Sequence, residues 1–345
     1  MSDGRIWLLA GPRAGELAQQ RRLAAALAQS WEEKPVFEPG QAARAAFGWT
    51  PEKAEQSGLV APWPALVISF GKTLQAALWI KRASGGRTRI IHLGRSRDIA
   101  PAQLDLLLPL PQDSVPAAAN VFALRLPLNA PPQLDEPARA AALQRLAALP
   151  RPWTCLIVGG LSRHFTLDSA RVEALAVQLA KQGRGGSLLV CTSPRTPPAW
   201  AAALKQALGQ AGVAHEISDY ADGRSREAYA EYLALADRLV VTGDSASMIA
   251  DALRSGRPLQ VVPLRPSLHL RRRRLLRGLF PAPLERALIR RGIWAPTVDL
   301  DRWIAALARD GLIGIFGRSE ARLSWNAALD DDLSRLAQRV APWLA

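Results

Sequence analysis

The sequence predicts an α/β protein made of two Rossmann-like domains, each built on a parallel sheet, facing one another across a cleft. Three observations lead there. Short apolar runs alternate with helical apolar patterns from Ile6 to Val262, which is how a parallel sheet covered on both faces reads. Most of these runs end in a turn rich in Gly, Ser, Thr or Asp. A proline-rich stretch splits the alternation in two, and a chain of 345 residues suits two domains at roughly 100 to 200 residues apiece.

In the first half, Ile6 to Ala10 reads as a strand that stops at Gly11-Pro12-Arg13-Ala14-Gly15 and leads into a helix over Leu17 to Leu27. Ala65 to Phe70 repeats the unit, opening on Gly71-Lys72-Thr73 and a helix to about Lys81. Arg89 to Leu93 and Leu104 to Leu108 are two further short strands. From Pro109 to Pro152 prolines punctuate an irregular region holding one helix near Arg139 to Leu149. The alternation then restarts. Strands are expected at Thr154–Val158, Ser187–Cys191, Arg238–Val241 and Leu259–Val262, with helices at Asp168–Lys181, Pro198–Ala211, Arg226–Ala234 and Ala246–Ser255. The resulting division is an N-terminal domain over 1–130, a Pro-rich linker over 131–152 and a C-terminal domain over 153–325. A C-terminal helix within 326–345 is placed to pack back on the N-terminal domain.

Composition narrows the function classes. Half of the residues are apolar, far too many for a disordered chain. Forty-four Lys plus Arg against thirty Asp plus Glu leave +14. Between Arg265 and Arg291 nine arginines meet a single acid, Glu285, so more than half of that excess is local. Within this stretch HLRRRRLLRGLF and LERALIRRGIW mix arginine with Leu, Ile, Phe and Trp. That is the pattern of a segment lying on an anionic membrane surface, with Arg271, Arg272, Arg273, Arg274 and Arg277 as its contacts. A solvated basic face produced by arginine-biased coding is the competing reading. The chain carries no recognised nucleic-acid-binding module, so no nucleic acid is expected as a partner.

Cys155 and Cys191 fall inside apolar strands and read as reduced core thiols, with no metal-ligand spacing around them. No run of eighteen apolar residues occurs, and the opening MSDGRIWLLAG is too short in apolar residues for a signal peptide. The expected location is the cytoplasm, peripheral on the inner face of the cytoplasmic membrane.

In doubly wound sheets ligands bind beyond the carboxyl ends of the strands, so four turns are candidates. Gly11 to Glu16 lacks the three-glycine dinucleotide spacing; it reads as a loop with Arg13 and Glu16 available to a ligand, or as a plain glycine-eased turn. In Gly159-Gly160-Leu161-Ser162-Arg163-His164-Phe165 two glycines after a buried strand offer free backbone N–H groups beside a hydroxyl and a cation, which suits phosphate. In Thr192-Ser193-Pro194-Arg195-Thr196-Pro197, hydroxyls flank a guanidinium suited to phosphate or carboxylate, with helix capping by Thr196 as the alternative. The most specific turn is Thr242-Gly243-Asp244-Ser245-Ala246-Ser247-Met248, where a strand ends and a helix N-terminus begins, with Asp251 about one turn further in. Asp330-Asp331-Asp332 reads as a helix start and not a metal motif. His92 and His215 read as ordinary strand and loop residues.

GPRAGELAQ, ISFGK, GGLSRHF, TSPRTP and TGDSASMIADALRSGRPL, in this order, resemble the mitochondrial fission family of the plant "elongated mitochondria" type. Two positions depart from its pattern: Asp251 stands where a glutamate is typical, and Lys72 where an arginine is. The family is similar in turn to glycosyltransferases of the two-Rossmann-domain (GT-B-like) class. The resemblance implies a nucleotide-sugar pocket lined by Gly159, Gly160, Ser162, Arg163, His164, Ser193, Arg195, Thr196, Asp244, Ser245, Ser247, Met248 and Asp251. It implies no metal and no cofactor beyond the donor sugar nucleotide, because a helix dipole and cationic side chains offset the leaving diphosphate. An acceptor, membrane-associated or lipid-linked, would sit near Gly11, Arg13, Gly15 and Lys72, with Glu16 as the candidate general base. The alternative is a non-catalytic adaptor that keeps the fold, binds a membrane surface and recruits a partner protein.

Overall fold

A computed structural model describes residues 5–27, 30–36, 50–96, 99–182, 185–320 and 331–344. Its contacts divide the chain into two compact units, one of Met1–Asn129, Phe280–Asp299 and Ala327–Ala345, the other of Ala130–Leu279 and Leu300–Asn326.

The first unit opens with β1 (Ile6–Ala10), α1 (Ala14–Leu27), β2 (Glu32–Pro35), α2 (Pro51–Gln56), β3 (Leu66–Phe70), α3 (Leu74–Ala83), β4 (Arg89–Leu93) and β5 (Leu106–Leu108). Its sheet is parallel throughout, in the order β2-β1-β3-β4-β5. The uninterrupted apolar run of β1 follows from burial on both faces. Ile6 and Leu8 pack with Leu23 and Ala24 of α1, whereas Trp7 and Leu9 pack with Leu74, Ala77 and Ile80 of α3. Strand β2 has no such apolar signature. Its sequence EEKP is stabilised at the sheet edge by side-chain pairs, with Arg21 donating to Glu33 at 2.6 Å and Lys34 over the Trp7 ring.

The second unit contains α4 (Glu136–Leu146), β6 (Trp153–Val158), β7 (Phe165–Thr166), α5 (Ser169–Gln182), β8 (Ser187–Thr192), α6 (Pro198–Gln210), β9 (His215–Ser218), α7 (Ser225–Leu235), β10 (Arg238–Thr242), α8 (Ala246–Arg254), β11 (Leu259–Val262), β12 (Arg265–Pro266) and α9 (Leu268–Gly278). After α10 (Ala282–Arg290), which belongs to the first unit, α11 (Leu300–Arg309) and β13 (Gly314–Ile315) complete the second. The main sheet runs β13-β11-β10-β6-β8-β9, all parallel. Strands β6 and β8 are buried at every position. They carry Cys155 and Cys191 as free, buried thiols, and burial pushes the Cys191 thiol up to about 12. β7 and β12 form a separate antiparallel pair.

The last helix, α12 (Asp331–Val340), returns to the first unit, where Leu336 and Val340 join the cluster of Ile6, Leu8 and Leu23. Asp331 and Asp332 lie in its first turn, and Asp332 accepts a bond from the Arg125 backbone at 2.7 Å; Asp330 is outside the described residues.

Five sequence expectations about organisation need correction. Residues 280–299 are not part of the C-terminal domain read over 153–325. Backbone bonds from Ser114 to Thr297 at 2.9 Å and from Asp299 to Gln112 at 2.7 Å tie them to the first unit. Arg95 reinforces the tie by donating to the Pro296 carbonyl at 3.2 Å. The region read as a linker over 131–152 is integral to the second unit. There α4 spans Glu136–Leu146, not Arg139–Leu149, because Asp135 caps it through Ala138 N at 2.8 Å. Arg145 then anchors the helix on Glu231 at 2.7 Å and Glu216 at 3.2 Å. His215 begins strand β9 and is not in a loop. Helix α1 begins at Ala14, three residues earlier than its apolar periodicity, so Gly15 and Glu16 are in its first turn. An acid there interacts favourably with the helix dipole.

Candidate functional site

Both sheets reverse direction once, and the candidate residues lie at the reversals. In the first unit β3 and β2 flank β1; in the second β10 and β8 flank β6. The carboxyl edge at such a reversal is where open α/β sheets bind ligands, because loops leave in opposite directions and open a crevice.

At the first reversal, the turn after β1 and the turn after β3 meet. Gly71 has φ of 59°, and a Cβ on it would lie 3.3 Å from the Glu16 carboxylate. The left-handed backbone favours glycine there, and any side chain would press on the Glu16 carboxylate. Glu16 also accepts from Arg13 at 2.9 Å. Arg13, Gly15 and Lys72 are exposed and Gly11 is half-buried, so the structure brings all five acceptor-side residues to one edge.

At the second reversal, the turns after β6, β8 and β10 interlock. The Thr242 hydroxyl accepts from Gly159 N at 2.7 Å and donates to Asp244 at 2.7 Å. The Asp244 carboxylate, fully buried, also accepts from Gly160 N at 3.2 Å and from Arg195 at 2.7 Å. The Thr196 hydroxyl bonds to the Gly159 carbonyl at 2.5 Å and accepts from Ser193 N at 2.9 Å. Leu161 N donates to the Arg195 carbonyl at 3.0 Å.

These bonds change three readings. The N–H groups of Gly159 and Gly160 are not open to a phosphate, since Thr242 and Asp244 hold them. The two glycines are required for packing instead: a Cβ on Gly159 would overlap the Asp244 carboxylate, and one on Gly160 would overlap the Arg195 backbone. Asp244 and Thr196 thus hold the site together from beneath. Thr196 does not cap α6 either, whose N-cap is Pro197 without a side-chain bond.

What faces outward at this edge is Arg195, with 41% of its side chain exposed, and the start of α8. Ser245 caps that helix through Met248 N at 3.5 Å, and Ser245, Ser247 and Met248 are all half-buried. Asp251, one turn in, accepts from the Tyr229 hydroxyl at 3.1 Å. Burial, then the adjacent Asp251 charge, pushes the Tyr229 phenol well above its ordinary range, which keeps it a donor. Tyr229 and Thr242 hold residues of the candidate site in place, a role that sequence reading missed. Thr242 stood in the motif without an assigned role, and nothing local marks Tyr229 as a partner of Asp251.

Ser162 accepts from His164 N at 3.1 Å, closing a local turn. The loop carrying it is fastened to the start of α9, where Ser267 N donates to the His164 carbonyl at 2.9 Å and the Ser267 hydroxyl to the Arg163 carbonyl at 2.5 Å. Among the described residues no group of three or more His, Cys, Asp or Glu side chains is arranged to hold a metal ion.

The model of the family described as mitochondrial fission ELM1 matches residues 14–293. The chain belongs to the mitochondrial fission ELM1 family. No curated protein sequence matches it. Among solved structures, this ELM1-family chain is similar to the S. aureus MnaA-UDP co-structure, with a TM-score of 0.50 at 11% identity over 92% of this chain and 100% of that one. It is also similar to a glycosyltransferase from Rickettsia africae ESF-5, with a TM-score of 0.49 at 8% identity over 99% and 98% of the two chains. A UDP-GlcNAc 2-epimerase from Neisseria meningitidis bound to UDP-GlcNAc gives a TM-score of 0.48 at 9% identity over 98% and 99%. At such identities the likeness concerns fold. This ELM1-family protein has the GT-B-like fold of two Rossmann-like units.

Proposed function

We propose that this protein is a glycosyltransferase that binds the diphosphate of a nucleotide sugar at the β6/β10 edge of the second unit and an acceptor at the β1/β3 edge of the first. The observation that carries the reading is Arg195, a half-exposed guanidinium anchored on buried Asp244 beside the start of α8. A pre-oriented cation next to a helix N-terminus is suited to a diphosphate leaving group. Asp251, hydrogen-bonded by Tyr229, would accept from a sugar hydroxyl, with Ser245, Ser247 and Met248 lining the approach. In the reaction Glu16 would take the proton of the acceptor hydroxyl as its oxygen bonds to the anomeric carbon. The diphosphate would depart with the electron pair, its charge offset by Arg195 and the helix dipole, so that the step uses no metal. A membrane-associated acceptor and a peripheral, cytoplasmic-face location belong to the same reading. Among the described residues no helix is long and apolar enough to cross a membrane.

Calorimetric titration with UDP, GDP, CDP and their sugars tests this. Saturable binding of one of them, lost in Arg195→Ala with the fold intact, is expected. Absence of binding at millimolar concentration of every one would refute it.

A second reading is favoured by a specific observation: Gly159 N and Gly160 N are committed to internal partners. A turn so closed serves an adaptor that retains the fold without the chemistry. In that case Arg195→Ala would leave function in the cell intact.

A further inference from the structure

The sequence marks residues 265–291 as basic; the structure shows which side chains of that stretch point outward and separates them into two units. Leu268, Leu275, Leu276 and Leu279, all on α9 or at its C-cap, are between 60% and 72% exposed. At about 100° per residue they share, with Arg272, an arc of about 100°. Leu270 is on the opposite side and is buried. The arginines divide in the same way. Arg273 and Arg277 are half-buried and Arg274 is paired with Asp301 at 2.9 Å, whereas Arg271 and Arg272 are exposed beside the leucines. No acid occurs from Arg265 to Leu284.

A helix that turns one leucine inward and four outward, bordered by arginines, needs an occupant that is apolar within and anionic at its edge. We propose that α9 seats on an anionic lipid bilayer, with Leu268, Leu275, Leu276 and Leu279 at the acyl boundary and Arg271 and Arg272 on lipid phosphates. A second copy of this chain fits less well, since a two-fold contact would set one acid-free arginine face against another. A nucleic acid would leave the leucine stripe against phosphate. Because Ser267 at the α9 N-cap is bonded to the Arg163 and His164 carbonyls, and β12 pairs with β7, a bilayer-bound α9 holds the loop from Gly159 to Phe165 at the membrane surface. The inference does not depend on the sugar-transfer reading.

The test is co-sedimentation of the full chain with vesicles of phosphatidylcholine alone and of phosphatidylcholine mixed with phosphatidylglycerol. Binding to the mixed vesicles, weakened by salt, is expected. Arg271→Gln and Arg272→Gln should each lower it about fivefold. The double variant Leu275→Glu, Leu279→Glu should abolish binding with an unchanged melting temperature, because both side chains are exposed; Leu276→Ser, a milder change, should weaken it. Equal binding to both kinds of vesicle, or wild-type binding by the leucine double variant, would overturn the proposal. So would a dimer that the double variant dissolves, or binding of single-stranded oligonucleotide in place of vesicles.

Discussion

The buried carboxylate of Asp244 occupies the space that a side chain on Gly159 would need. Two residues 85 positions apart are thereby coupled, and the coupling explains a glycine whose backbone is otherwise ordinary. Gly159→Ala should destabilise the second unit by about 1–3 kcal/mol, the usual cost of overpacking. Combining it with Asp244→Ala should cost less than the sum of the single changes, a coupling of about 1 kcal/mol or more by urea denaturation. Strict additivity would show that the contact does not exist.

Gly15 provides the contrast. It lies in the first turn of α1, and a Cβ there would meet nothing within 4 Å. Gly15→Ala should leave the protein as stable or raise its stability by about 0.5 kcal/mol. If acceptor-dependent turnover falls in a variant whose melting temperature is not lowered, Gly15 serves a ligand and not the fold.

His92 should govern the acid limb of stability. Fully buried on β4 and bonded to Ser69 at 2.9 Å, it has its pKa lowered from 6.5 to about 4 by desolvation, partly opposed by the Arg95 backbone. The unfolded chain takes up a proton here before the folded one does. Stability from this residue is therefore complete above pH 6.5 and declines as pH falls from there to about 4, by roughly 3 kcal/mol in all. Chemical denaturation of wild type and His92→Gln across this range should show the steeper fall in wild type.

Leu336 tests the membership of the C-terminal helix. It is fully buried in the cluster of Ile6, Leu8 and Leu23, so Leu336→Ala should cost about 2–5 kcal/mol. Hydrogen exchange should speed up in β1 and α1. Faster exchange confined to α12 itself would mean the helix is not part of that core.

Much of this architecture is legible without coordinates. The runs at Ile6–Ala10, Arg89–Leu93 and Leu259–Val262 coincide with β1, β4 and β11 to the residue, because strands largely buried on both faces read as mostly apolar runs, interrupted here only by Arg89, His92 and Gln260. Strands β2 and β9 were invisible. EEKP and HEIS sit at sheet edges, where partly exposed side chains leave no apolar signal. The five motif turns were legible as turns, since small and hydroxyl residues after an apolar run have few other uses.

The residue types at each strand end, the split into two α/β halves and the Arg-Leu stretch were properties of the sequence alone, each set by local periodicity or composition. Who bonds to whom was not. That the N–H groups of Gly159 and Gly160 close on Thr242 and Asp244, that residues 280–299 pack with the first unit, and that Arg271 and Arg272 face outward while Arg274 turns to Asp301 were decided by tertiary structure. Such pairings join positions tens of residues apart, and a buried polar group takes whichever partner the fold brings within reach.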